Sequence, residues 1–501
     1  MTPTPTTLPA VTEIAIVGGG FSGLGMAIRL KQAGQDDFVV LERGDDVGGT
    51  WHWNAYPGCG CDVPSNLYSF SFAPNPEWTR TYSRQPEIGA YLRRCADDFG
   101  VRPHIATGCS VTGATWDEAA QRWTVETSSG TLSARVLVSA AGPLFEPKQP
   151  AAPGLEDFEG RVFHSARWDH DYDVRGKRVA AVGTGASAIQ FVPEIAPDVE
   201  QLHVFQRTPP WVMPHPGRPT TGIERAVYKR FPLLQKAARA AVYAGRESLV
   251  LGFVKYPRIL RAAEAIARRH MRQSISDPAL VRKVTPDYTL GCKRILPSND
   301  WYPALDRPNV ELHTGGLKAV TRTGVVTADG VEHAVDAIIF GTGFQVTDMP
   351  IAHRVRGAGG RTLAEHWGPS MRAHRGCTVP GFPNLFMLLG PNTGLGHGSM
   401  VYMIESQVAY VLDALRTMRE RGAATAEVRA DAEAAWNAEL DAKLEGTVWN
   451  SGCASWYADS TGRIAALWPD WTFAFRRGLR TFDGDSYELR APSRAPEPVA
   501  A

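Results

Sequence analysis

The stretch that decides how this chain is organised is Phe158–Asp169, FEGRVFHSARWD, which lies between two separate Gly-rich motifs. It follows the pattern F-x-G-x-x-x-H-x-x-x-W-D. One interpretation is an ordinary linker between domains, in which the Phe and Trp side chains pack and His164 caps a turn. The flanking motifs supply independent grounds for a functional interpretation.

The first Gly-rich motif, Gly18–Gly23 (GGGFSG), directly follows a short β-branched run at Glu13–Val17. A helical pattern comes next, and then a second strand pattern at Phe38–Leu41 that ends in Glu42. A strand, G-x-G-x-x-G, a helix and an acidic residue in this order predict a dinucleotide-binding unit.

Each marked residue of that unit has a physical reason for its position. Gly18 allows the tight turn, Gly20 lets the backbone approach a pyrophosphate, and Gly23 lets helix and strand pack closely. The N-terminus of the helix then faces the negative phosphates. Glu42 can accept hydrogen bonds from a ribose diol.

The second Gly-rich motif, GTGASA, follows the strand pattern Arg178–Val182 and fits G-x-G-x-x-A. Its candidate nucleotide contacts are Gly183, Thr184, Gly185 and Ser187. The next strand pattern, Gln201–Phe205, leads to Arg207, where the first unit has an acid. An acid would repel a 2′-phosphate, whereas a guanidinium binds one through two hydrogen bonds. The second unit is therefore predicted to bind NADP(H), with Arg207 as the discriminating residue.

The composition argues against several other classes of protein. With 501 residues, the chain has material for two or three domains. Lys and Arg total 53 and Asp and Glu total 52, so the net charge of +1 argues against a general nucleic-acid surface. No apolar run has transmembrane length, and the start MTPTPTTLPA lacks the features of a signal peptide.

The seven Cys residues are scattered and odd in number, which predicts no disulfide framework and favours a reducing, cytoplasmic location. Cys59 and Cys61 are separated by one residue, and no second Cys or His pair lies near them in sequence to complete a zinc site. Both are expected to pack as small buried residues, and no metal site is predicted.

The segment FEGRVFHSARWD resembles the fingerprint of the type I Baeyer–Villiger monooxygenases, with every specified position matched. These flavoproteins use FAD and NADPH to insert one oxygen atom beside a ketone carbonyl. A second stretch, Gly48–Asp62 (GGTWHWNAYPGCGCD), resembles another signature of the same family, G-x-W-x-x-x-x-Y-P-G-x-x-x-D. The resemblance extends over nearly the whole chain.

The resemblance implies a set of roles around the flavin. Lys293 is expected to meet the 2′-phosphate, and Arg294 to reach the flavin and stabilise a C4a-peroxyflavin as it attacks a ketone. Asp62 is expected to lie near the flavin and nicotinamide rings and to orient Arg294. The other implied cofactor contacts are Trp51, Tyr68, Asn392 and Trp456. The substrate pocket is expected to be lined by the inserted helices, the Lys293–Arg294 loop and the residues around Trp456 and Tyr457.

The predicted fold class is α/β, with two Rossmann-like domains that bind FAD and NADP. The expected parts are a first FAD-domain segment at 1–145, a linker at 146–157, an NADP domain at 158–338, a second FAD-domain segment at 339–490 and a disordered tail at 491–501. Within the NADP domain, residues 216–288 predict two or three inserted helices whose positive charges lie on solvated faces. A membrane-surface helix around Leu249–Val254 is a minor alternative.

Three other functions compete with ketone oxygenation. The first is a flavin monooxygenase that oxidises S or N nucleophiles. The second is a pyridine-nucleotide disulfide reductase, which needs a redox pair spaced C-x-x-C or C-x4-C, and the sequence contains neither spacing. The third is a flavin-binding sensor without catalysis. The partners expected for the favoured function are a small ketone and O2, with no nucleic acid and no membrane span, in a monomer or homodimer.

Overall fold

The structure, a computed structural model, describes residues 8–148 and 150–493. Residues 494–501 of the predicted tail, the N-terminal residues 1–7 and residue 149 of the predicted linker lie outside the described parts. The described chain forms two main β-sheets, each with helices packed against it.

The first sheet has eight strands and carries the first Gly-rich motif. In spatial order its strands are Val355–Arg356, Val111–Asp117, Arg122–Thr127, Gly130–Ser139, Val11–Val17, Phe38–Leu41 and Ile105–Ala106, and Leu385–Met387 also pairs with Gly130–Ser139. Val11–Val17 runs parallel to both neighbours, with Val17 opposite Leu41 and Ser139. The carboxyl ends of these three strands therefore meet at one edge, where Gly18 begins its turn.

The second sheet has five strands, and every neighbouring pair is parallel. In spatial order its strands are Val310–Thr314, Gln201–Gln206, Arg178–Val182, Ala337–Phe340 and Arg161–His164. The two central strands are apolar over most of their length and buried, as a parallel sheet covered on both faces requires. The fingerprint segment supplies the edge strand Arg161–His164.

The remaining strands form three smaller sheets. They are Val212–Met213 with Leu296–Pro297, Thr425–Val428 with Tyr487–Arg490, and an antiparallel sheet of Leu317–Val320, Gly324–Thr327 and Glu332–Ala334. The last of these packs on the second sheet through Val320, Val325 and Val335.

The helices fall into three groups. Those that accompany the first sheet are Phe21–Gln32, Thr50–Trp53, Gln85–Asp98, Leu363–Trp367, Met400–Glu420, Ala430–Leu444 and Thr472–Gly478. Ala188–Ile195 and Trp301–Leu305 accompany the second sheet, and the insertion contributes Gly222–Arg230, Pro232–Glu247, Leu260–Ser274 and Pro278–Val284. No helix in the described parts of the chain is both long and apolar enough to cross a membrane.

The insertion differs from its prediction in two respects. It contains four α-helices rather than two or three, because Pro232 and Pro278 each stand in the first turn of a new helix, where proline is tolerated. The segment suggested as a membrane-surface helix lies largely in a π-helical turn, Leu251–Lys255, whose Phe253 and Val254 side chains are buried. Leu249 and Leu251 are exposed, so the structure turns only part of this apolar stretch inward, and the membrane-surface alternative stays a prediction.

Candidate active site

Asp62 and Arg294 lie 232 residues apart in sequence and form a two-pronged ion pair. Arg294 Nε donates to Asp62 Oδ2 at 3.0 Å, and Nη2 donates to Oδ1 at 2.7 Å. The Asp62 and Arg294 side chains keep 22% and 30% of their surface exposed, so the pair borders an accessible space. The structure thus brings together the two residues that the sequence singled out as catalytic.

Asp62 and Arg294 each stabilise the charged form of the other. Burial alone would raise the pKa of Asp62, but the positive charge and hydrogen bonds of Arg294 outweigh burial and hold that pKa below its ordinary value. The negative charge of Asp62 raises the pKa of Arg294. Both groups are therefore charged near neutral pH, and neither is a proton donor there.

Two further residues contact the pair without having been assigned to it from sequence. Arg246 Nη2 donates to the main-chain oxygen of Asp62 at 2.6 Å. The phenol of Tyr457 lies close enough to Arg294 to interact with its positive charge. Burial raises the pKa of Tyr457 to about 12, although the guanidinium opposes that rise. Tyr457 was expected only as a lining residue, and nothing in the sequence ties Arg246 to Asp62.

The contact from Arg246 is part of a wider correction to the insertion. Pro232–Glu247 carries Gln235, Arg239 and Arg246 toward the segment that follows Asp62. Arg239 Nη1 donates to the carbonyls of Asn66 and Ser69 at 2.7 and 3.0 Å, and Gln235 Nε2 donates to a neighbouring carbonyl at 2.7 Å. These positive charges bind backbone oxygens, so the prediction that the charges of the insertion lie on solvated faces is wrong for Arg239 and Arg246.

The first Gly-rich turn is shaped for close backbone approach. Gly18 has a φ of +104°, and a Cβ there would lie 2.7 Å from the Ala140 carbonyl oxygen. A Cβ on Gly23 would lie 1.8 Å from the Gly18 oxygen, so only glycine lets the helix Phe21–Gln32 pack this closely. That helix starts at Gly20 with no described side chain capping its N–H groups. The free N–H groups and the bare turn fit a pyrophosphate such as that of FAD.

Glu42 lies at the same edge of the sheet and is buried. Its Oε2 accepts from the Gly19 N–H at 2.6 Å, and its Oε1 accepts from the Gly44 N–H at 2.7 Å. The carboxylate is thereby fixed beside the turn, and each oxygen keeps a lone pair for a ribose hydroxyl. This position suits the predicted role of Glu42.

Trp51 and Tyr68 meet each other beside this turn. Trp51 Nε1 donates to the Tyr68 hydroxyl at 3.1 Å, and the two rings meet edge to face. The Tyr68 ring also lies edge to face with Phe21, the first residue of the helix after the turn. The two aromatic residues therefore line the side of the turn on which the predicted flavin contacts are expected.

The second Gly-rich turn repeats this construction. Gly183 has a φ of +109°, and a Cβ there would lie 2.5 Å from the Gly341 oxygen. A Cβ on Gly185 would find no atom nearer than 4.0 Å, so space is open in front of the helix Ala188–Ile195. Thr184 Oγ1 donates to the Thr208 carbonyl at 3.3 Å, and Ser187 stands at the start of the helix. The open space fits the phosphates of a second nucleotide.

Arg207 and Lys293 provide positive charge beside this second turn. Burial lowers the pKa of Lys293, and the nearby charge of Arg207 lowers it further. Within the described residues neither side chain forms an ion pair, although Lys293 Nζ lies 4.7 Å from the centre of the Tyr288 ring. Tyr288 in turn donates to the Pro209 carbonyl at 3.1 Å, which ties its loop to the strand end at Arg207. Asp287 opposes this lowering of the Lys293 pKa, but no carboxylate of the described residues lies within ion-pairing distance of either cation, which fits a site for a 2′-phosphate.

The fingerprint residues have structural contacts. His164 Nδ1 accepts from the Ala166 N–H at 3.1 Å and so caps a short turn. Trp168 packs against Phe163 and Phe191, and Asp169 forms an ion pair with Arg161 at 2.5 Å. Packing and capping were the roles proposed for an ordinary linker, and here they hold the edge strand and place Trp168 against the helix that follows the second Gly-rich turn.

Asn392 and Trp456 differ in how they are placed. The Asn392 side chain is buried and donates to the carbonyls of Ile464 and Leu467 at 2.8 and 3.0 Å, while its oxygen accepts from Arg463 at 2.9 Å. It therefore holds the 463–467 segment, and its cofactor contact stays a prediction. Trp456 is 46% exposed, and its ring centre lies 4.4 Å from that of Tyr457 with the two rings tilted, so its contact with a nucleotide also stays a prediction.

A cavity of about 630 Å³ opens between the two nucleotide-binding parts of the chain. It is lined by Cys61, which precedes Asp62, by Gln190 of the helix Ala188–Ile195, and by residues of the 297–307 segment. Arg294, Trp456 and Tyr457 do not line this cavity, so the expected substrate pocket around them stays a prediction.

The cysteines contain one correction. Cys292 and Cys453 form a disulfide across 161 residues, although the scattered sequence positions predicted none. Sequence spacing could not show it, because the pairing depends on the fold bringing two distant loops together. Cys59 and Cys61 are buried and unpaired with any cysteine, as predicted, and burial raises the pKa of Cys59 to about 12.

Comparison with known proteins identifies the family. A protein named Baeyer-Villiger monooxygenase from Streptomyces coelicolor is 54% identical over 485 residues, which cover 96% of this chain and 93% of that protein. The chain belongs to the Baeyer–Villiger monooxygenases. A second protein of that name, from Pseudomonas aeruginosa, is 51% identical over 95% of this chain and 91% of its own length. The predicted fold class, the two cofactors FAD and NADP(H), and the monooxygenase class are thereby confirmed.

A solved structure supports the same fold for this Baeyer–Villiger monooxygenase. The crystal structure of OTEMO in complex with FAD and NADP matches with a TM-score of 0.87 at 27% identity, over 95% of this chain and 99% of that chain. The family described as pyridine nucleotide-disulphide oxidoreductase matches residues 15–247 only. No two cysteines in that range are spaced C-x-x-C or C-x4-C, so the match is explained by the shared nucleotide-binding fold.

Proposed function

We propose that this Baeyer–Villiger monooxygenase converts a ketone into an ester or lactone with Arg294 as the cation that stabilises the reacting oxygen and carbonyl. The observation that supports this role is the two-pronged ion pair between Asp62 and Arg294. In ketone oxygenation, the attacking oxygen is anionic, and its negative charge passes to the carbonyl oxygen as the new carbon–oxygen bond forms. A guanidinium held at a fixed position stabilises both charges without reorganising during the reaction.

Asp62 acts through Arg294 and is a positioning residue. Its carboxylate fixes the plane of the guanidinium by accepting from two of its nitrogens, and Arg246 holds the Asp62 backbone in turn. A donor of this kind contributes on the order of 3 kcal/mol to the barrier when it is aimed at developing charge. The buried phenol of Tyr457 is a further neighbour of the guanidinium.

One set of residues would bind FAD, and a second set would bind NADP. Gly18, Gly20, Gly23 and Glu42 would hold the pyrophosphate and ribose of FAD, and Trp51 and Tyr68 would border its ring. When bound, FAD supplies the acceptance of a hydride and the activation of dioxygen. Gly183, Thr184, Gly185 and Ser187 would hold the NADP pyrophosphate, and Arg207 and Lys293 its 2′-phosphate, with Trp456 over the nucleotide.

A panel of ketones and thioethers tests the proposed reaction. Purified protein loaded with FAD should consume NADPH and O2 together only when a substrate is added, and a ketone should gain one oxygen atom as an ester or lactone. With isotopically labelled dioxygen, that atom should carry the label. Oxidation of thioethers in the absence of any ketone product would instead favour the alternative monooxygenase acting on S or N nucleophiles.

Other features of the protein stay predictions that need their own measurements. They are the cytoplasmic location, the domain boundaries and the monomeric or homodimeric state. Sedimentation of the FAD-loaded protein would decide the last of these.

A further inference from the structure

Four potential metal ligands converge on the outer part of the second sheet, away from the Asp62–Arg294 pair. His203 lies on the strand Gln201–Gln206, and Glu311 and His313 lie on the neighbouring edge strand Val310–Thr314. Glu311 stands opposite His203 in the register of these parallel strands. Because side chains alternate along a strand, Glu311 and His313 point to the same face.

The fourth ligand comes from a different sheet. His333 lies on Glu332–Ala334 of the antiparallel three-stranded sheet, and its ring centre is 4.6 Å from that of His203 and 4.7 Å from that of His313. One ligand atom from each of the four side chains lies within 4.8 Å of all the others. The cluster therefore bridges two sheets that otherwise meet through apolar side chains.

The distances among the ligand atoms of His203, Glu311 and His313 are close to those around a tetrahedral ion, and the ligand atom of His333 lies within 4.8 Å of all three. His203 Nδ1 lies 3.0 Å from His313 Nε2, and the Glu311 Oε2 atom lies 3.5 Å from the first nitrogen and 3.7 Å from the second. Zinc binds nitrogen and oxygen at about 2.0–2.1 Å, so tetrahedral ligands lie about 3.3 Å from each other. The three distances lie on both sides of that value, and small rotations of the side chains would equalise them.

The burial of the ligands suits an ion that enters from solvent. The His203 and His313 side chains are 7% and 9% exposed, whereas Glu311 is 50% exposed. Two imidazoles thus form an inner wall, and the carboxylate closes the outer side. The simpler alternative is a hydrogen-bonded histidine pair that Glu311 approaches as an ion-pair partner, and it predicts no stoichiometric binding of a metal ion.

We propose that His203, Glu311, His313 and His333 form a structural site for a divalent first-row transition ion, with Zn²⁺ as the ion that the donor set favours. Three imidazoles and one carboxylate leave no open position, so the site is closed and not catalytic. The ion would fasten the three-stranded sheet to the edge of the second sheet, on the strand that leads to Arg207.

Zinc binding to tag-free, FAD-loaded protein tests this proposal. After treatment with EDTA and dialysis, titration calorimetry with ZnCl2 should show one ion bound per chain, and elemental analysis should show the same stoichiometry. His333→Gln and Glu311→Gln should each raise the Kd for Zn²⁺ by about 100-fold or more. Even the loss of a residue that only hydrogen-bonds to a metal ligand lowers metal affinity by about 10–100-fold. His353→Gln, which changes an exposed His paired with Asp348, is the matched control and should bind as the unchanged protein does.

Thermal unfolding separates a site from loose surface binding. Zn²⁺ should raise the Tm of the unchanged protein and of His353→Gln, and should leave the Tm of Glu311→Gln unaltered. FAD content reports whether each variant is folded, and the half-exposed Glu311 can be replaced with little risk to the fold. The proposal is overturned if no stoichiometric binding occurs, or if His333→Gln and Glu311→Gln bind Zn²⁺ as tightly as the control.

Discussion

Asp62 accepts hydrogen bonds from Arg294 on both of its oxygens, with Nη2 to Oδ1 at 2.7 Å and Nε to Oδ2 at 3.0 Å. The two residues come from different parts of the chain. Asp62 ends the segment that follows the first nucleotide-binding unit, and Arg294 follows the helical insertion. The ion pair therefore joins a segment of the first nucleotide-binding half to a segment of the second, and two contacts fix both the position and the plane of the guanidinium.

Arg294→Ala should separate flavin reduction from oxygen transfer. NADPH should still reduce bound FAD, because that step needs no cation at this position. Ester formation should fall by about 100- to 1,000-fold, since one such charge-stabilising donor is worth about 3–4 kcal/mol. Stopped-flow absorbance of the flavin and chromatography of the ester measure the two steps on one sample.

Arg175→Ala is the control for this experiment, because Arg175 forms an exposed ion pair with Asp173 at 2.8 Å on the protein surface. It should leave both steps unchanged. Ester formation at the normal rate in Arg294→Ala would remove Arg294 from the mechanism, whereas loss of flavin reduction as well would point to a wider disturbance of the nucleotide sites.

The pH dependence of the reaction should not report Asp62. Its folded pKa is depressed, so the carboxylate's contribution to stability is present above the ordinary Asp pKa of about 3.9 and is lost only as the pH falls through the lower folded value. Asp62→Asn should lower kcat by about 10- to 100-fold, since a charged hydrogen bond contributes about 1.5–3 kcal/mol. The profile of kcat/KM between pH 5.5 and 9 should keep its shape. Disappearance of an acid limb in the variant would show that Asp62 titrates during catalysis.

The sequence predicted those parts of the fold that depend on local patterns. The strands at Val11–Val17 and Phe38–Leu41 and the turn at Gly18 follow from β-branched runs and from glycine's access to positive φ. The pairing of Asp62 with Arg294 could be expected only through the family resemblance, because no local pattern links residues that far apart.

Long-range contacts without a motif could not be predicted. Arg246 sits in an Ala- and Arg-rich helix that looks like any solvated helix, and only its packing against the Asp62 segment shows its role. The disulfide of Cys292 with Cys453 was missed for the same reason. Spacing rules apply to cysteines that are close in sequence, whereas the fold brings these two cysteines together from distant loops.

Arg207→Ala should weaken NADPH binding selectively. The KM for NADPH should rise by about 10- to 100-fold with little change in kcat, because a guanidinium–phosphate contact worth about 1.5–3 kcal/mol is lost equally from ground state and transition state. NADH lacks the 2′-phosphate and serves as the internal control, so its KM should stay the same. Steady-state kinetics with NADPH and NADH test whether Arg207 binds the 2′-phosphate. An equal rise in both KM values would mean that Arg207 supports the fold and does not bind that phosphate.

Counting thiols tests the disulfide between Cys292 and Cys453. The chain has seven cysteines, of which five are free, so denatured, unreduced protein should show five thiols and reduced protein seven. Cys292→Ser should show six free thiols before reduction, because Cys453 loses its partner. The crosslink closes a loop of 161 residues, which in the chain-entropy model is worth about 5 kcal/mol, so reduction should lower the Tm. Cys109→Ser should keep that response to reductant, and seven thiols in unreduced protein would show that the two cysteines are not joined.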